Sequence, residues 1–505
     1  MPAFLNERRL SLGAIGAAAI VGAAIPIVLG RFSLYVVLEA AMVVLALLPG
    51  ATAIFLGRLN VTRHVPFWIL YAAVLTYIYL APAAYVARGM VDRNALAPIY
   101  LALQVLILVF FLVPLFALYI RWTARGGESG PARWSISQRA LFVFVPVCLG
   151  LPAWYVALLV KHGLLFRRVG FTSIANNLVG LPRVDFLVIR GFEALAVPLL
   201  CLLVLAVRDA KGWPRLLLGL SLLSLGSVTL LDAALNSRYQ WILALALPLA
   251  VAVNLRPAVV RPWRYWVATV LVLISALYGA RLVENIRSTY TPSGVSVSAS
   301  TLSPTTTPSY SEPLSFRLNG LDLMARMTPA AVKQGYSWGK SWWPYMVVEV
   351  TQVVAPQIAN KYKLGLATEP KWYLMRDYHV ASLPDYPSSA FTDLYGNLGP
   401  FGFPIAAVVY ALLLVLLTRW MRRGPVMLVI ALFLLADVVY FEGSFVGLAF
   451  RWILYSPAVI LLLLINPLRR GAPLERKPAS AARQDPVTPD PTAASPSPAE
   501  SRRGA

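Results

Sequence analysis

A few arginines lie at the ends of apolar segments, and they are the first candidates for chemistry. Arg238 stands between two apolar segments, Arg451 stands near the start of another, and Arg317 and Arg326 belong to a stretch that is apolar on one face. An arginine at the mouth of apolar segments is costly unless it faces a cavity or a partner. Its planar guanidinium binds phosphate through two hydrogen bonds and stays charged in a partly dry site. These residues therefore suit a phosphate-bearing ligand.

Two of these arginines also have structural interpretations. Arg238 could snorkel toward the membrane surface or pair with Asp232 on the preceding apolar segment. Arg451 could form a buried pair with the nearby Glu442. For Arg238 we favour a functional role, because a charge in so short a connection needs a cavity or a partner. For Arg451 both interpretations stay open.

The stretch FRLNGLDLMARM, from residue 316, has apolar residues at the spacing of an amphipathic helix, with Asn319 as a candidate N-cap. We favour Arg317 as a ligand and Arg326 as structure, because Asp322 lies four residues before Arg326 and could pair with it. A second basic region, the loop 161–191, could collect lipid phosphates or simply be solvated. Its arginines are Arg167, Arg168, Arg183 and Arg190.

These residues must be positioned by elements that cross a membrane. The chain of 505 residues is 59% hydrophobic and 13% charged, and its apolar runs reach about 17–25 residues, enough for a hydrocarbon core of about 30 Å. Continuous apolar runs favour helices over a β-barrel. The sequence therefore predicts an all-α, polytopic bundle of about twelve transmembrane helices. They are predicted at 11–30, 33–56, 66–86, 96–120, 140–160, 192–207, 216–235, 239–254, 264–282, 399–418, 425–441 and 451–466.

The basic residues fall in alternate connections of this bundle, for example Arg58 and Arg63 in one and Arg422 and Arg423 in another. Because cytoplasmic loops collect lysine and arginine, both termini are predicted to be cytoplasmic. The chain then divides into four parts: helices 1–9 (1–282), a large loop on the far side (283–398), helices 10–12 (399–466) and a disordered cytoplasmic tail (467–505) rich in Pro, Ala and Ser.

Several classes of function receive no support from the composition. The net charge of +22 is explained by the basic loops and by attraction to anionic headgroups, so we do not expect nucleic acid as a partner. Cys148 and Cys201 lie inside predicted helices, which argues against a disulfide framework or a metal site. The sequence has no HExxH, paired CxxC, P-loop or DxD motif, so we expect neither a metal nor nucleotide chemistry.

The far-side loop changes character along its length. Residues 288–311 are low in complexity and predict a flexible spacer. The part that follows carries aromatics typical of a membrane interface, and we expect it to lie against the bilayer. These aromatics are Trp338, Trp342, Trp343 and Tyr345.

The loop ends in YGNLGPFGF, where glycine and proline predict a sharp turn and a close helix approach. The residues in question are Gly396, Gly399, Gly402, Pro400 and Pro404.

Three motifs together resemble the Wzy-type O-antigen and exopolysaccharide polymerases. RLNGLDLMARM (317–327) is similar to the arginine-containing amphipathic helix that opens the large periplasmic loop of that family. YGNLG (395–399) stands where the family has an aromatic, Asn-Phe-Gly-like closing motif, with Leu398 in place of the commoner Phe. NSRYQW (236–241) is placed like the family's short Ser-Arg segment, with Tyr239 where glycine is usual. The resemblance extends over about 216–460.

The resemblance implies transfer of a growing glycan from undecaprenyl diphosphate onto a lipid-linked repeat unit, at the outer face of the bacterial inner membrane and without a metal or other cofactor. The implied partners are undecaprenyl-diphosphate-linked oligosaccharides, the lipid bilayer and a chain-length regulator. Cations would stabilise the diphosphate leaving group. The candidate catalytic residues are Arg238, Arg317, His379 and Asp322. The candidate substrate-binding residues are Arg451, Arg326, Arg376, Tyr395, Asn397, Arg167 and Arg168.

Glycosyl transfer also needs a base for the acceptor hydroxyl. By the predicted topology His162 and His379 face outward, and we favour His379 because it lies beside Arg376 and Asp377. The structural alternative is an ordinary surface histidine. The aspartates that could replace it as base are Asp322, Asp377 and Asp393.

Three other functions stay open. A multi-span glycosyltransferase that uses a polyprenyl-phosphate sugar would carry an acidic residue in its first outer loops, where this chain offers only Asp92. A lipid-linked glycan transporter would show charges in mid-span and broken, repeated halves, and we detect no internal repeat. A structural scaffold would leave the arginine pattern unexplained.

Overall fold

The computed structural model describes residues 33–59, 63–92, 95–124, 134–163, 182–236, 319–354, 370–380, 389–439 and 444–470, with two short strands near 290 and a few isolated positions. Helices dominate these parts, as predicted. Eight of the described helices are long and apolar enough to span a membrane, so the chain has the form of a polytopic membrane protein. The count of twelve helices stays a prediction, because 11–30, 239–254 and 264–282 lie largely outside the described residues.

The first half of the described chain supplies six of these helices, two of them interrupted by π-helical turns. They are α1 (Leu34–Phe55); α2 (Val65–Val74), continued by a π-turn (Leu75–Leu80) and α3 (Ala81–Ala87); α4 (Ala97–Ile107), continued by a π-turn (Leu108–Leu112) and α5 (Val113–Thr123); α6 (Gln138–Lys161); α7 (Arg183–Asp209); and α8 (Trp213–Asn236). Ser33 and Ser137 begin α1 and α6, because each hydroxyl accepts a bond from a first-turn amide that lacks a helical partner.

The second half supplies the outer segment, which we define as residues 319–398, and the last three helices. The outer segment holds α9 (Asp322–Gln334), α10 (Trp342–Val354), α11 (Pro370–Asp377) and α12 (Ala390–Leu398). A 3₁₀ turn (Gly399–Phe401) leads into α13 (Gly402–Met421), α14 (Pro425–Val439) and α15 (Phe445–Ile465). The amphipathic helix that was expected near residue 316 therefore begins at Asp322 and runs beyond the predicted motif.

Two short antiparallel pairs complete the described structure. β1 (Trp134–Ile136) pairs with β4 (Leu468–Arg470), and β2 (Tyr290–Thr291) pairs with β3 (Gly294–Val295). β4 lies at the start of the predicted tail 467–505, and β2 and β3 lie within the predicted spacer 288–311. Residues 471–505 and the rest of the spacer lie outside the described residues, so both predictions stay predictions. In both places strand pairing satisfies backbone groups that the sequence left without an evident partner.

The β1–β4 pair fixes which helix ends lie together. β1 comes just before α6 and β4 comes just after α15, so the start of α6 and the end of α15 share one end of the bundle. The two helices have 24 and 21 residues, which is a length of about 30 Å or more. The end of α6 at Lys161 and the start of α15 at Phe445 therefore lie at the opposite end. We call this opposite end the outer end.

A histidine joins three helices at the other, basic end. The Nδ1 atom of His64 lies 2.9 Å from the Tyr119 hydroxyl, which lies 2.8 Å from the Thr418 hydroxyl. Burial, followed by the charges of Arg422 and Arg63, lowers the pKa of His64 to about 4. The imidazole is therefore neutral at pH 7 and serves as a packing and hydrogen-bonding group.

The junction between α12 and α13 is the sharp turn that the glycines predicted. Gly399 has a φ of +62°, which side chains rarely tolerate. A Cβ built on Gly402 would lie 2.9 Å from the carbonyl oxygen of Leu394, whereas these positions would be about 12 Å apart along a straight helix. A Cβ on Gly396 would lie 2.8 Å from the side chain of Leu374. The glycines therefore let α12 fold back against α13 and pack closely on α11.

Candidate functional site

Asn397, in the YGNLG motif, organises the end of the outer segment. Its Oδ1 atom accepts hydrogen bonds from the Ser337 hydroxyl at 2.6 Å, the Ser341 hydroxyl at 3.0 Å and the Gly339 amide at 3.1 Å. Its Nδ2 atom donates to the Asp393 carbonyl at 2.8 Å. An amide suits this position because it is both donor and acceptor. The buried Asn397 side chain therefore holds one turn of the outer segment against α12.

Asp393 ties the same helix to α15. Its Oδ1 atom accepts a hydrogen bond from the Trp342 indole at 2.6 Å, and its Oδ2 atom accepts one from the Phe445 amide at 3.0 Å. Phe445 is the first residue of α15, where the amides have no helical partners and a negative charge is favourable. The closing motif of the outer segment is therefore docked at the outer end of α15.

The predicted interface aromatics divide into two groups. Trp342 and Tyr345 turn inward, where Trp342 binds Asp393 and Tyr345 packs edge-on against Phe450 of α15. Trp338 and Trp343 are exposed. Half of this set therefore fastens the outer segment to the bundle, and the other half is on the surface as a membrane-interface role requires.

Asp322 forms the second anchor of the outer segment. Its Oδ1 atom accepts a hydrogen bond from the Tyr100 hydroxyl at 2.5 Å, and its Oδ2 atom accepts one from Arg326 Nε at 2.9 Å. Asn319 donates to the same Tyr100 hydroxyl at 3.1 Å, and the Gly320 amide donates to the Tyr77 carbonyl at 3.1 Å. Tyr77 lies in a π-helical turn and Tyr100 in α4, so the start of the outer segment is inserted between two membrane helices.

These contacts bear on three sequence expectations. The i,i+4 pair of Asp322 and Arg326 is confirmed, with Arg326 in the structural role that we favoured. Asp322 is fully buried, so it could act on a substrate only if the anchor opened. Asn319 is not the N-cap, because that position is held by Leu321, whose amide donates to Asn319 Oδ1 at 3.3 Å. Asn319 instead stabilises the turn that precedes α9.

Tyr395 and Asn397, which were expected to bind substrate, are both buried. The Tyr395 ring stacks on Phe403 with centroids 6.1 Å apart and meets Tyr336 edge-on at 5.6 Å. Contact of either motif residue with a substrate would require α12 to move away from α13. The structure thus gives these two residues a role in holding the outer segment.

An ion pair lies in the outer part of the last two helices. Arg451 Nη1 is 3.5 Å from Asp437 Oδ1, and Arg451 Nε donates to the Gly447 carbonyl at 3.4 Å. The Arg451 side chain is 25% exposed and that of Asp437 is 7% exposed. Asp437 of α14 is therefore one partner of Arg451. Glu442, the partner that the sequence indicated, lies outside the described residues. Arg451 follows Phe445 by less than two helical turns, or about 9 Å.

His379 stands on an exposed turn after α11 with a φ of +53°. In the described parts of the chain, no side chain bonds its ring, and its neighbours Arg376 and Asp377 pair with each other at 2.9 Å. Four other predicted site residues lie outside the described residues. They are Arg238, Arg317, Arg167 and Arg168.

Sequence reasoning missed one polar cluster at the outer end. Asp185, in the first turn of α7, accepts hydrogen bonds from Lys161 Nζ at 2.8 Å and from His162 Nε2 at 2.7 Å. From the sequence, the loop 161–191 was considered for its arginines and His162 was noted as facing outward, but His162 was not paired with Asp185. The signal was a histidine at the end of one apolar run and an aspartate at the start of the next, which face each other when helices are antiparallel.

Comparison of the chain with protein-family models, with curated proteins and with solved structures finds no significant match. In the described parts of the chain there is also no group of three or more His, Cys, Asp or Glu residues that could hold a metal ion. The function must therefore be argued from the residues themselves.

Proposed function

We propose that this chain is a polysaccharide polymerase of the bacterial inner membrane. It would transfer a growing glycan from undecaprenyl diphosphate onto a lipid-linked oligosaccharide repeat unit at the outer face. Two features support the proposal. The motifs resemble those of the polymerases, and the chain is a bundle of membrane helices with a docked segment at one end. In this arrangement both termini are cytoplasmic, and the outer segment belongs to one large periplasmic loop.

The observation that carries the proposal is the position of Arg451. This arginine is kept within the outer part of a membrane helix, where a charge is expensive and is retained for a partner or a ligand. It lies close to the point at which Asp393, two residues before the closing motif, binds the first amide of α15. The closing motif and the partly exposed guanidinium of Arg451 thus lie at the same end of the bundle.

The chemistry of the reaction explains why arginines are needed there. As the glycosidic bond breaks, negative charge develops on the lipid diphosphate, and preorganised cations stabilise that charge. We assign this role to Arg451, Arg238 and Arg317. Guanidinium groups suit it because they bind phosphate oxygens in pairs and do not lose their charge. Arg167, Arg168 and Arg376 would attract the diphosphate headgroup from the surface.

One observation favours transport of a lipid-linked glycan as a second candidate. Glu39 is fully buried in α1, where its Oε2 atom accepts a hydrogen bond from Gln104 Nε2 at 2.7 Å. Its Oε1 atom and the Oε1 atom of Gln104 have no hydrogen-bond partner among the residues that the structure describes. An acidic side chain inside a membrane bundle is typical of transport pathways. The test of function must therefore separate polymerisation from transport.

The experiment compares cells with and without the chain. Undecaprenyl-diphosphate glycans are extracted and analysed by mass spectrometry, and surface polysaccharide is sized on a gel. We expect loss of long polymer and accumulation of single, complete repeat units. Because loss of a transporter would also leave single units, spheroplasts are treated with a membrane-impermeant lectin or oxidant. We expect the accumulated units to react, since the donor and acceptor of a polymerase both lie at the outer face.

Other outcomes would contradict the proposal. Complete repeat units that are protected from the impermeant reagent would indicate transport. Incomplete repeat units would indicate a glycosyltransferase that adds single sugars. An unchanged glycan profile would rule out all three functions.

A further inference from the structure

We propose that His162 is the general base that takes the proton from the acceptor hydroxyl, and that Asp185 positions it. The inference rests on the proposed glycosyl transfer. In the step, the acceptor oxygen bonds to the anomeric carbon of the growing glycan. The bond from that carbon to the diphosphate oxygen breaks, undecaprenyl diphosphate leaves with the electron pair, and the hydroxyl proton passes to Nδ1 of His162.

The contact with Asp185 selects the atom of the ring that can act as base. Hydrogen bonds from Lys161 and then from His162 lower the pKa of Asp185 below its ordinary value, so this group is a carboxylate at neutral pH. A carboxylate only accepts hydrogen bonds, and the neutral imidazole must therefore carry its proton on Nε2. Nδ1 then keeps its lone pair and is the atom that receives a proton.

The helix ends explain why these residues meet. His162 is the C-cap of α6 and Asp185 lies in the first turn of α7, positions where a helix dipole favours a cation and an anion respectively. Seven residues deeper in each helix, Tyr155 and Phe192 stack with ring centroids 4.0 Å apart. Tyr155 also donates to Asp232 of α8. The pair of His162 and Asp185 therefore lies next to a packed layer of side chains that connects α6, α7 and α8.

Exposure separates His162 from the other candidate bases. The His162 side chain is 17% exposed, and its Nε2 atom is held by Asp185. Asp322 is buried in its anchor, and Asp393 is buried between Trp342 and α15. His379 is exposed, but no described side chain orients its ring. Among the described residues of the outer end, the pair of His162 and Asp185 combines access with orientation.

His162 also lies at the end of the bundle where the reaction is proposed. The β1–β4 pair places the end of α6 and the start of α15 together at the outer end. The other charged group that the structure describes against this pair is Lys161, which shares the Asp185 oxygen and is largely exposed. A purely structural interpretation is that Lys161, His162 and Asp185 only tie two helix ends together. The two interpretations differ in what happens to the maximal rate and to the KM when the Asp185 carboxylate is replaced by an amide.

The test uses the full chain, purified and reconstituted in liposomes. The probe is the pool of lipid-linked repeat units extracted from cells that lack the chain, and the readout is the rate of polymer formation as a function of repeat-unit concentration. We expect His162→Gln to lower the rate by about 100-fold or more, because general bases contribute about 10²–10⁴-fold. Lys333→Gln, at an exposed position with no role in the proposed site, is the control, and its rate should stay close to that of the unmodified chain.

The Asp185→Asn variant tests whether Asp185 positions the base or only joins the ends of α6 and α7. An amide in place of the carboxylate can also donate a hydrogen bond, so the ring would no longer be held with its free lone pair on Nδ1. The maximal rate should therefore fall by about 10-fold or more, whereas the KM for the repeat units should stay close to that of the unmodified chain. Lys161→Gln leaves the contact between His162 and Asp185 in place and should keep most of the rate.

The outcomes separate this inference from the proposed function. If the unmodified chain makes no polymer, the proposed function fails. If it makes polymer and His162→Gln keeps the rate, the inference is overturned. If His162→Gln does not accumulate, Asp185→Asn decides, and an unchanged maximal rate there overturns the inference as well.

Discussion

Replacement of Arg451 by alanine is expected to lower the rate of polymer formation by about 10²–10³-fold, the loss seen when one preorganised charge-stabilising group is removed. The reason is that Arg451 lies beside the docked closing motif and would bind the diphosphate as it leaves. Arg451→Lys should keep part of the rate, because it retains the charge but loses the planar pair of donors. Polymer is measured on gels, and the amount of protein in the membrane is measured in parallel.

Arg238→Ala and Arg317→Ala are also expected to abolish polymer while the protein still accumulates in the membrane.

Asp437→Asn is the matched control for Arg451, because it changes the other member of the same ion pair. If the pair is only structural, removing either charge leaves the other one poorly compensated, and both variants should lose protein to a similar extent. If Arg451 binds the diphosphate, Asp437→Asn should retain most of the polymer. Normal polymer from Arg451→Ala would remove this residue from the site.

The largest effect on structure is expected from Asn397→Ala. The substitution leaves two buried hydroxyls and one amide without the oxygen that they share. Each unsatisfied buried group costs about 1–3 kcal/mol, so the loss should be about 3 kcal/mol or more. We expect a lower thermal midpoint in detergent and faster proteolysis within 335–341, since this turn would lose its attachment to α12.

The control for Asn397 is Lys333→Ala, an exposed position on the same outer segment. It should change neither the thermal midpoint nor the proteolysis pattern, because surface substitutions outside special contacts have small effects. An Asn397→Ala protein with an unchanged midpoint and no new cleavage would show that this asparagine does not hold the outer segment.

Features that follow from local sequence were predictable. Long apolar runs gave α1, α6 and α13 within a few residues, because membrane helices must satisfy their own backbone and bury apolar side chains over a fixed thickness. The pair of Asp322 and Arg326 followed from the i,i+4 geometry of a helix. The turn at Gly399 followed from the need for a positive φ.

Features that depend on which helices become neighbours were not predictable in the same way. The partner of Arg451 is 14 residues away in α14, and the contact forms only because α14 and α15 pack side by side. Tyr100 and Asp322 are 222 residues apart along the chain. A single sequence contains no local pattern that brings such residues together.

The closing motif shows a third kind of difference. The resemblance implied that Tyr395 and Asn397 bind substrate, because both belong to the closing motif. In the structure both are buried and hold α12 in place. The motif therefore contributes to the site indirectly. It anchors the outer segment beside Arg451, and its own side chains are not exposed to a substrate.

The most direct test of the proposed activity uses the purified chain alone. It is reconstituted in liposomes with undecaprenyl-diphosphate repeat units as the sole glycan, and the products are separated by length and identified by mass spectrometry. We expect a ladder of lipid-linked dimers and longer polymers, with one undecaprenyl diphosphate released for each new bond. Repeat units that remain single, in a preparation whose helical content and monodispersity show a folded protein, would contradict the polymerase proposal.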